Sequence, residues 1–185
     1  MLKCDIKKFF ASIDQKILIN ILEKYIKDKD TINLLKEIIF SFEPNGLPLG
    51  NLTSQLFSNI YLNEFDQFIK HKLKAKYYVR YADDFVFLSD NKKYLENIIK
   101  PISDFLQKEL KLTLHPDKVF IKTLSSGVDF LGWVNFADHR VLREKTKKRM
   151  LKRIKNNKSA ETMNSYLGLL KHGNSYKILN KINLL

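Results

Sequence analysis

The spacing of apolar residues changes several times along the chain. Leu2, Cys4 and Ile6 alternate with other positions, the two-residue period of a strand. Phe9 and Phe10 carry the segment 2–13 into an aromatic turn. The period then lengthens. Ile17, Leu18, Ile21, Leu22 and Tyr25 predict a helix over 15–27, with Asp14 placed to cap it. A second helix is expected over 31–42. Pro44, Gly46, Pro48 and Gly50 interrupt the pattern and mark a loop. Thr53 or Ser54 is positioned to cap a long helix reaching residue 73, in which Leu56, Phe57, Ile60, Tyr61, Glu64 and Phe65 keep the helical period. Two apolar runs, 77–81 (YYVRY) and 85–89 (FVFLS), flank Ala82, Asp83 and Asp84, a hairpin signal. A helix follows over 92–110. Strand-like residues recur at 118–123 and at 128–136 around Gly132. The tail is helical in pattern, weakened at Asn156, Asn157 and Gly173.

Strand, helices, hairpin, helix and strand in that order predict an α+β fold. It is an antiparallel sheet with helices on one face, over 1–139, followed by a small helical appendage over 140–185. No internal repeat interrupts this order.

Composition narrows the picture. The chain has 185 residues and 44% apolar side chains, enough for a real core, which excludes a disordered chain. No apolar run approaches the roughly 20 residues of a membrane span. The start, MLKCDIKKFF, lacks the charged, apolar and cleavage regions of a secretory signal. Cys4 is the only cysteine, so a disulfide framework and a cysteine zinc site are excluded and a reducing cytoplasm is expected. His71, His115, His139 and His172 form no metal-binding spacing.

The net charge of +13 points to a polyanionic partner, nucleic acid first. It is unevenly spread. Residues 1–139 hold 20 basic and 18 acidic side chains, residues 140–185 hold 13 and 2. The densest run, 140–158, carries ten basic residues against Glu144 alone. Val141, Leu142, Met150, Leu151 and Ile154 give it a narrow apolar stripe, as in a helix with one packed edge. Arg140, Arg143, Lys147, Lys148, Arg149, Lys152 and Arg153 are then a basic face for a nucleic-acid backbone. A merely solvated face is the alternative, but such faces normally mix both signs.

Asp83 and Asp84 stand at the tip of a hairpin with strongly apolar flanks, and Asp5 at the end of another apolar strand. Charges there are costly unless a cation offsets them. Three carboxylates on adjacent strand ends are suited to two divalent ions about 3.5–4 Å apart, which stabilise the attacking and leaving oxygens of an in-line phosphoryl transfer. Oxygen ligands favour Mg2+. A simple Asp-Asp turn is the competing reading.

The surrounding residues resemble the reverse transcriptases. CDIKKFF at 4–10 resembles their first catalytic motif, and Tyr81-Ala82-Asp83-Asp84 their YxDD hairpin. GLPLGNLTSQ at 46–55 resembles the template and nucleotide-binding motif, and 112–118 the fourth motif. Phe130, Leu131, Gly132 and Trp133 resemble the primer grip. The five motifs stand in family order over residues 2–136, and the basic helices fall where the thumb belongs. The resemblance therefore implies a polymerase palm with a small thumb. Its activity would be RNA-directed DNA polymerisation with two Mg2+ ions, an RNA template, a DNA or RNA primer and dNTPs. Asp5 and Asp83 match the metal-binding pair, with Asp84 beside them and the Ile6 carbonyl completing a site. Phe10 stands at the steric-gate position, where a ring excludes a ribose 2′-hydroxyl; an ordinary core aromatic is the alternative. Lys118 matches a lysine that protonates the leaving pyrophosphate, or is a surface lysine. Arg80 and Tyr81 are expected beside the primer end, although Tyr81 also suits sheet packing. Leu49, Gly50, Ser54 and Gln55 match the nucleotide and template contacts.

Leu49 and Gln55 refine the resemblance. Most relatives read QGxxxSP here, whereas this chain reads LGNLTSQ, similar to the reverse transcriptases of diversity-generating retroelements. Tyr166 to His172, with Asn174 to Tyr176, resembles their thumb. That subfamily copies RNA with errors at adenines, works with a small basic accessory protein, and is bacterial or phage-encoded. A glutamine amide can hydrogen-bond the nascent pair and leucine cannot, so discrimination should relax; simple packing of Leu49 is the alternative. A group II intron or retron-like reverse transcriptase is a further alternative. The family carries a fingers region upstream of the first motif, and only four residues precede Asp5 here. A palm-and-thumb piece is therefore expected. Without fingers, a non-catalytic nucleic-acid-binding module stays open, and so, more weakly, does a sheet-based RNA-binding domain.

Overall fold

A computed structural model describes residues 1–42, 44–157 and 159–183. The chain divides into two compact units, Met1–Ile121 and Lys122–Leu185.

In the first unit, β1 (Leu2–Asp5), β2 (Tyr78–Tyr81), β3 (Asp84–Phe87) and β4 (Phe120–Ile121) form an antiparallel sheet in the order β2-β3-β1-β4. The helices are α1 (Phe9–Ser12), α2 (Gln15–Tyr25), α3 (Lys29–Phe40), α4 (Leu52–Gln67) and α5 (Lys92–Leu110). Short polar residues set their starts by accepting otherwise unpaired backbone N–H groups. Asp14 accepts from Ile17, Asp28 from Thr31 and Asn91 from Tyr94. The start of α4 departs from expectation. Asn51, not Thr53 or Ser54, is its N-cap, and Asn51 makes no side-chain cap hydrogen bond. The helix then widens into a π turn over Phe68–Lys72.

The sheet and helices meet through aromatic rings. Phe65 of α4 packs edge-on against Phe85 of β3, with centroids 5.1 Å apart, and Phe68 stacks on Phe105 of α5 at 4.2 Å. Leu2, Cys4, Phe85 and Phe87 are fully buried, while Val79 and Tyr81, on alternate positions of β2, are exposed. That alternation follows from the two-residue strand period.

In the second unit, β5 (Val128–Phe130), β6 (Trp133–Asn135) and β7 (Arg140–Leu142) form a separate antiparallel sheet, in that order. It is followed by α6 (Glu144–Asn156), α7 (Ala160–Leu170) and α8 (Tyr176–Asn183). The core here is Trp133 with Leu142, Met150, Ile154, Leu170, Ile178 and Ile182.

Two expectations are corrected. The basic run does not begin as a helix: Arg140 and Leu142 lie in a strand, where Leu142 pairs with Trp133. The division at 139 would therefore cut a three-stranded sheet, and the compact units separate at Ile121 and Lys122 instead. Charge marks where basic residues accumulate, whereas strand pairing marks where the chain holds together.

Candidate active site

The hairpin between β2 and β3 is as tight as an antiparallel pair permits. Tyr81 pairs with Asp84, leaving Ala82 and Asp83 as a two-residue loop. Asp84 is thus a strand residue rather than part of the turn. Ala82 takes φ +51°, a conformation in such loops usually left to glycine. A side chain there costs about 1 kcal/mol, so the surroundings must hold the turn.

Register then assembles the carboxylates. β1 lies between β3 and β4, and Asp5 stands directly across from Asp84. The Ile6 N–H donates to the Asp83 carbonyl at 3.3 Å, tying the loop to the end of β1. On the other side, the His115 N–H donates to the Asp5 carbonyl at 2.8 Å and Ile6 bridges to Leu114. Asp5 is 7% exposed. Asp5, far from Asp83 and Asp84 in the sequence, is therefore their neighbour at one end of the sheet.

Their electrostatics follow. Burial raises the pKa of Asp83, and the charges of Asp5 and Asp84 raise it further. Burial also raises that of Asp84, with Asp5 adding to the effect and Lys3 opposing it. Two ammonium groups offset the charge. Lys118 donates to Asp5 Oδ2 at 3.0 Å, and Lys3 lies 3.4 Å from Asp84 Oδ1. That Asp84 oxygen is buried, with the Lys3 ammonium as its ion-pair partner. Among the described residues, no group of three or more His, Cys, Asp or Glu side chains is arranged as a metal cage. The donor set nevertheless suits a hard cation, since it gathers carboxylate oxygens whose charge Lys3 and Lys118 only partly offset. The ion-pair contact with Asp5 raises the pKa of Lys118, so this side chain is a firmly held cation.

Phe10 lies on α1, half-buried, with its ring 5.3 Å from Phe9. Its carbonyl accepts the Leu47 N–H at 2.7 Å, and Gly46 donates to Ile13 at 3.0 Å. This ties the glycine-rich loop to α1. Gln15, missed by the sequence pattern, reinforces the tie: its buried amide donates to the carbonyls of Ile39 and Gly46, each at 3.0 Å, and to that of Phe42. A glutamine at an otherwise apolar helix position was the available signal. Further along, Leu49 and Leu52 are 79% and 81% exposed, Gly50 has φ +93° with open space around it, and Gln55 is exposed. Ser54 is buried, turned away from that open surface.

Arg80 departs from expectation. It lies on the same face of β2 as Tyr78, its side chain 10% exposed, and binds Asp66 of α4. Tyr81 instead stands on the open face, 65% exposed.

The second unit contains Phe130, Leu131, Gly132 and Trp133. Leu131 and Gly132 form the two-residue β5–β6 loop, with φ of +54° and +82°. Leu131 is 48% exposed, whereas Trp133 is core, with Arg140 stacked 5.0 Å from its ring. Arg143 is taken up by Asp129 at 3.1 Å and Lys147 by Glu144 at 3.3 Å. Lys148, Arg149, Lys152 and Arg153 are exposed on α6 and, among the described residues, enter no ion pair.

Comparison with known proteins follows the same residues. The family model described as reverse transcriptase (RNA-dependent DNA polymerase) matches residues 1–135. The chain is 25% identical to the putative COX1/OXI3 intron 2 protein of Saccharomyces cerevisiae, over 71% of this chain and 23% of that protein. It is 27% identical to the protein YkfC of Escherichia coli, over 77% of this chain and 47% of that one. It is 27% identical to the group II intron-encoded protein LtrA of Lactococcus lactis, over 78% and 35% respectively. The chain thus spans less than half the length of these curated relatives.

Proposed function

This chain belongs to the reverse transcriptase (RNA-dependent DNA polymerase) family, and from that premise we propose that it carries the catalytic sheet of an RNA-templated DNA polymerase. The observation that carries the reading is the register that sets Asp5 opposite Asp84, with Asp83 in the loop between β2 and β3. A structural sheet gains nothing from gathering three carboxylates, since like charges directly across a strand pair are destabilising.

Asp5 and Asp83 would hold Mg2+, with Asp84 and the Ile6 carbonyl adjacent. When bound, the ions supply charge stabilisation for the oxygens of an in-line phosphoryl transfer. The remaining work falls to this chain's own groups. Lys118, a cation beside Asp5, is within reach of the phosphates of an incoming nucleotide and offers a donor to the leaving pyrophosphate. The ring of Phe10 bounds the sugar. Leu49, Gly50 and Gln55 face the nascent pair and template. Lys148, Arg149, Lys152 and Arg153 supply the salt-dependent contact to the template–primer backbone.

Within the family, the exposed Leu49 and the LGNLTSQ sequence favour an error-prone enzyme of the diversity-generating type, whose partner would be a small basic accessory protein. Similarity to a group II intron-encoded protein supports a second reading, a group II intron-like enzyme. One assay separates these. A primed RNA template is incubated with Mg2+, dNTPs and the wild-type, Asp83→Asn or Leu49→Gln chain, and the products are sequenced. Extension by the wild type and none by Asp83→Asn is expected, with fewer errors opposite adenine in Leu49→Gln. Equal error rates favour the group II-like enzyme. Absence of wild-type extension refutes polymerisation by this chain and leaves a nucleic-acid-binding module.

A further inference from the structure

The loop that presents Asp83 has a strained residue and a dedicated support. The Arg80 guanidinium divides its donors between two tasks. Nε and Nη2 form a fork on Asp66, at 2.9 and 2.5 Å, while Nη1 donates to the Ala82 carbonyl at 3.1 Å and to Asn59 Oδ1 at 3.3 Å. Asp66 is itself fixed by the Tyr78 hydroxyl, which donates to Oδ1 at 2.7 Å. A fork on Asp66 alone would satisfy the charge of this arginine. Its third nitrogen instead reaches forward two residues, to the carbonyl of the residue at φ +51°. That peptide leads directly into Asp83.

We infer that Arg80, held on α4 by Asp66, is a positioning residue that locks the Ala82–Asp83 loop and so fixes where the Asp83 carboxylate points. This rests on the reading of Asp5 and Asp83 as the metal-holding pair. The geometry requires arginine. A planar fork serves Asp66 and the carbonyl at once, whereas a lysine is a point charge that keeps the pair with Asp66 and releases the loop. Groups that orient metal-binding side chains typically change metal affinity by about 10- to 100-fold when lost.

The test uses the full chain as wild type, Arg80→Lys, Asp66→Asn and Asp83→Asn, each checked for folding by circular dichroism. Two readouts are taken: Mn2+ binding by electron paramagnetic resonance, and amide hydrogen exchange at Ile6 and residues 82–84. The Ile6 N–H, bonded to the Asp83 carbonyl, reports loop position without any metal. Arg80→Lys is expected to melt near the wild type yet exchange faster in the loop and bind Mn2+ about 10-fold more weakly, and Asp66→Asn to do the same. If Asp83→Asn loses Mn2+ while Arg80→Lys and Asp66→Asn match the wild type in both readouts, the inference is overturned and the metal-site reading stands. If the wild type binds Mn2+ no better than Asp83→Asn, the metal-site reading itself falls and takes the inference with it.

Discussion

Replacing Gly46 by alanine tests whether the loop before α4 is held against α1 as tightly as its hydrogen bonds imply. A Cβ at Gly46 would meet the Phe10 carbonyl at 2.7 Å, Ala11 Cα at 2.8 Å and the Ala11 carbonyl at 2.9 Å. All three are backbone atoms and cannot swing aside. The residue also sits at φ +87°, where a side chain costs about 1–2 kcal/mol. Relieving the clash means moving the loop away, which endangers the bonds from Gly46 to Ile13 and from Leu47 to Phe10. Each is worth about 1 kcal/mol. The expected loss is therefore about 3 kcal/mol, or roughly 10 °C in Tm for a unit of this size. Gly50→Ala is the control. Its φ is +93°, but nothing lies within 4 Å of the added carbon, so only the backbone term of about 1–2 kcal/mol applies. Chemical denaturation with calorimetry reads both variants. Equal destabilisation by the two alanines would refute the close approach to α1.

Asp84→Asn should stabilise the fold by about 0.5–1 kcal/mol at neutral pH, because it removes a half-buried charge that also stands directly across from Asp5. The folded-state pKa of Asp84 is raised, so the penalty is absent below the ordinary carboxylate range and grows as pH rises through it; a Tm difference independent of pH would contradict this. Asp14 behaves oppositely. Burial alone would raise its pKa, but the Lys111 ammonium at 2.6 Å and the Ile17 N–H prevail and lower it. Its charge therefore stabilises above the ordinary value near 4 and is lost as pH falls below it. Asp14→Asn keeps a cap and should cost only about 0.5 kcal/mol at pH 7, since Lys111 is largely exposed, and nothing at pH 2; an acid-denaturation series measures the difference. Gly173→Ala should disrupt the second unit by about 2 kcal/mol or more, because a Cβ there would overlap the Trp133 ring and lie 2.9 Å from the Arg140 carbonyl. The fluorescence of the single tryptophan should shift to the red, and an unshifted spectrum with wild-type stability would refute the packing.

Elements whose side chains face one core were legible in the sequence. The helix expected over 92–110 is α5, and the helix capped by Asp14 is α2. The hairpin was legible as well, since apolar runs flank a polar tip. What escaped prediction depends on pairing and packing that the periodicity of a segment does not carry. Arg140 to Leu142 look helical beside the basic residues that follow, but pairing with Trp133 and Asn135 makes them a strand. The long helix was read to residue 73, yet its last turn is a π turn that periodicity does not distinguish. At the site, adjacency of Asp83 and Asp84 was visible, while the approach of Asp5 is a matter of register. The support of Arg80 by Asp66 crosses 14 residues and two elements, and carries no local signal.

Cys4 lies on β1, between two neighbouring strands, fully buried and with its thiol pushed up to about 12 by burial. A thiol in that state is inert to alkylating reagents, because only the thiolate reacts. It is also the only thiol in the chain. Alkylation of the native protein therefore reports the population of states in which the strand that carries Asp5 has opened. The molecule contains its own probe of how readily the sheet that carries Asp5 opens.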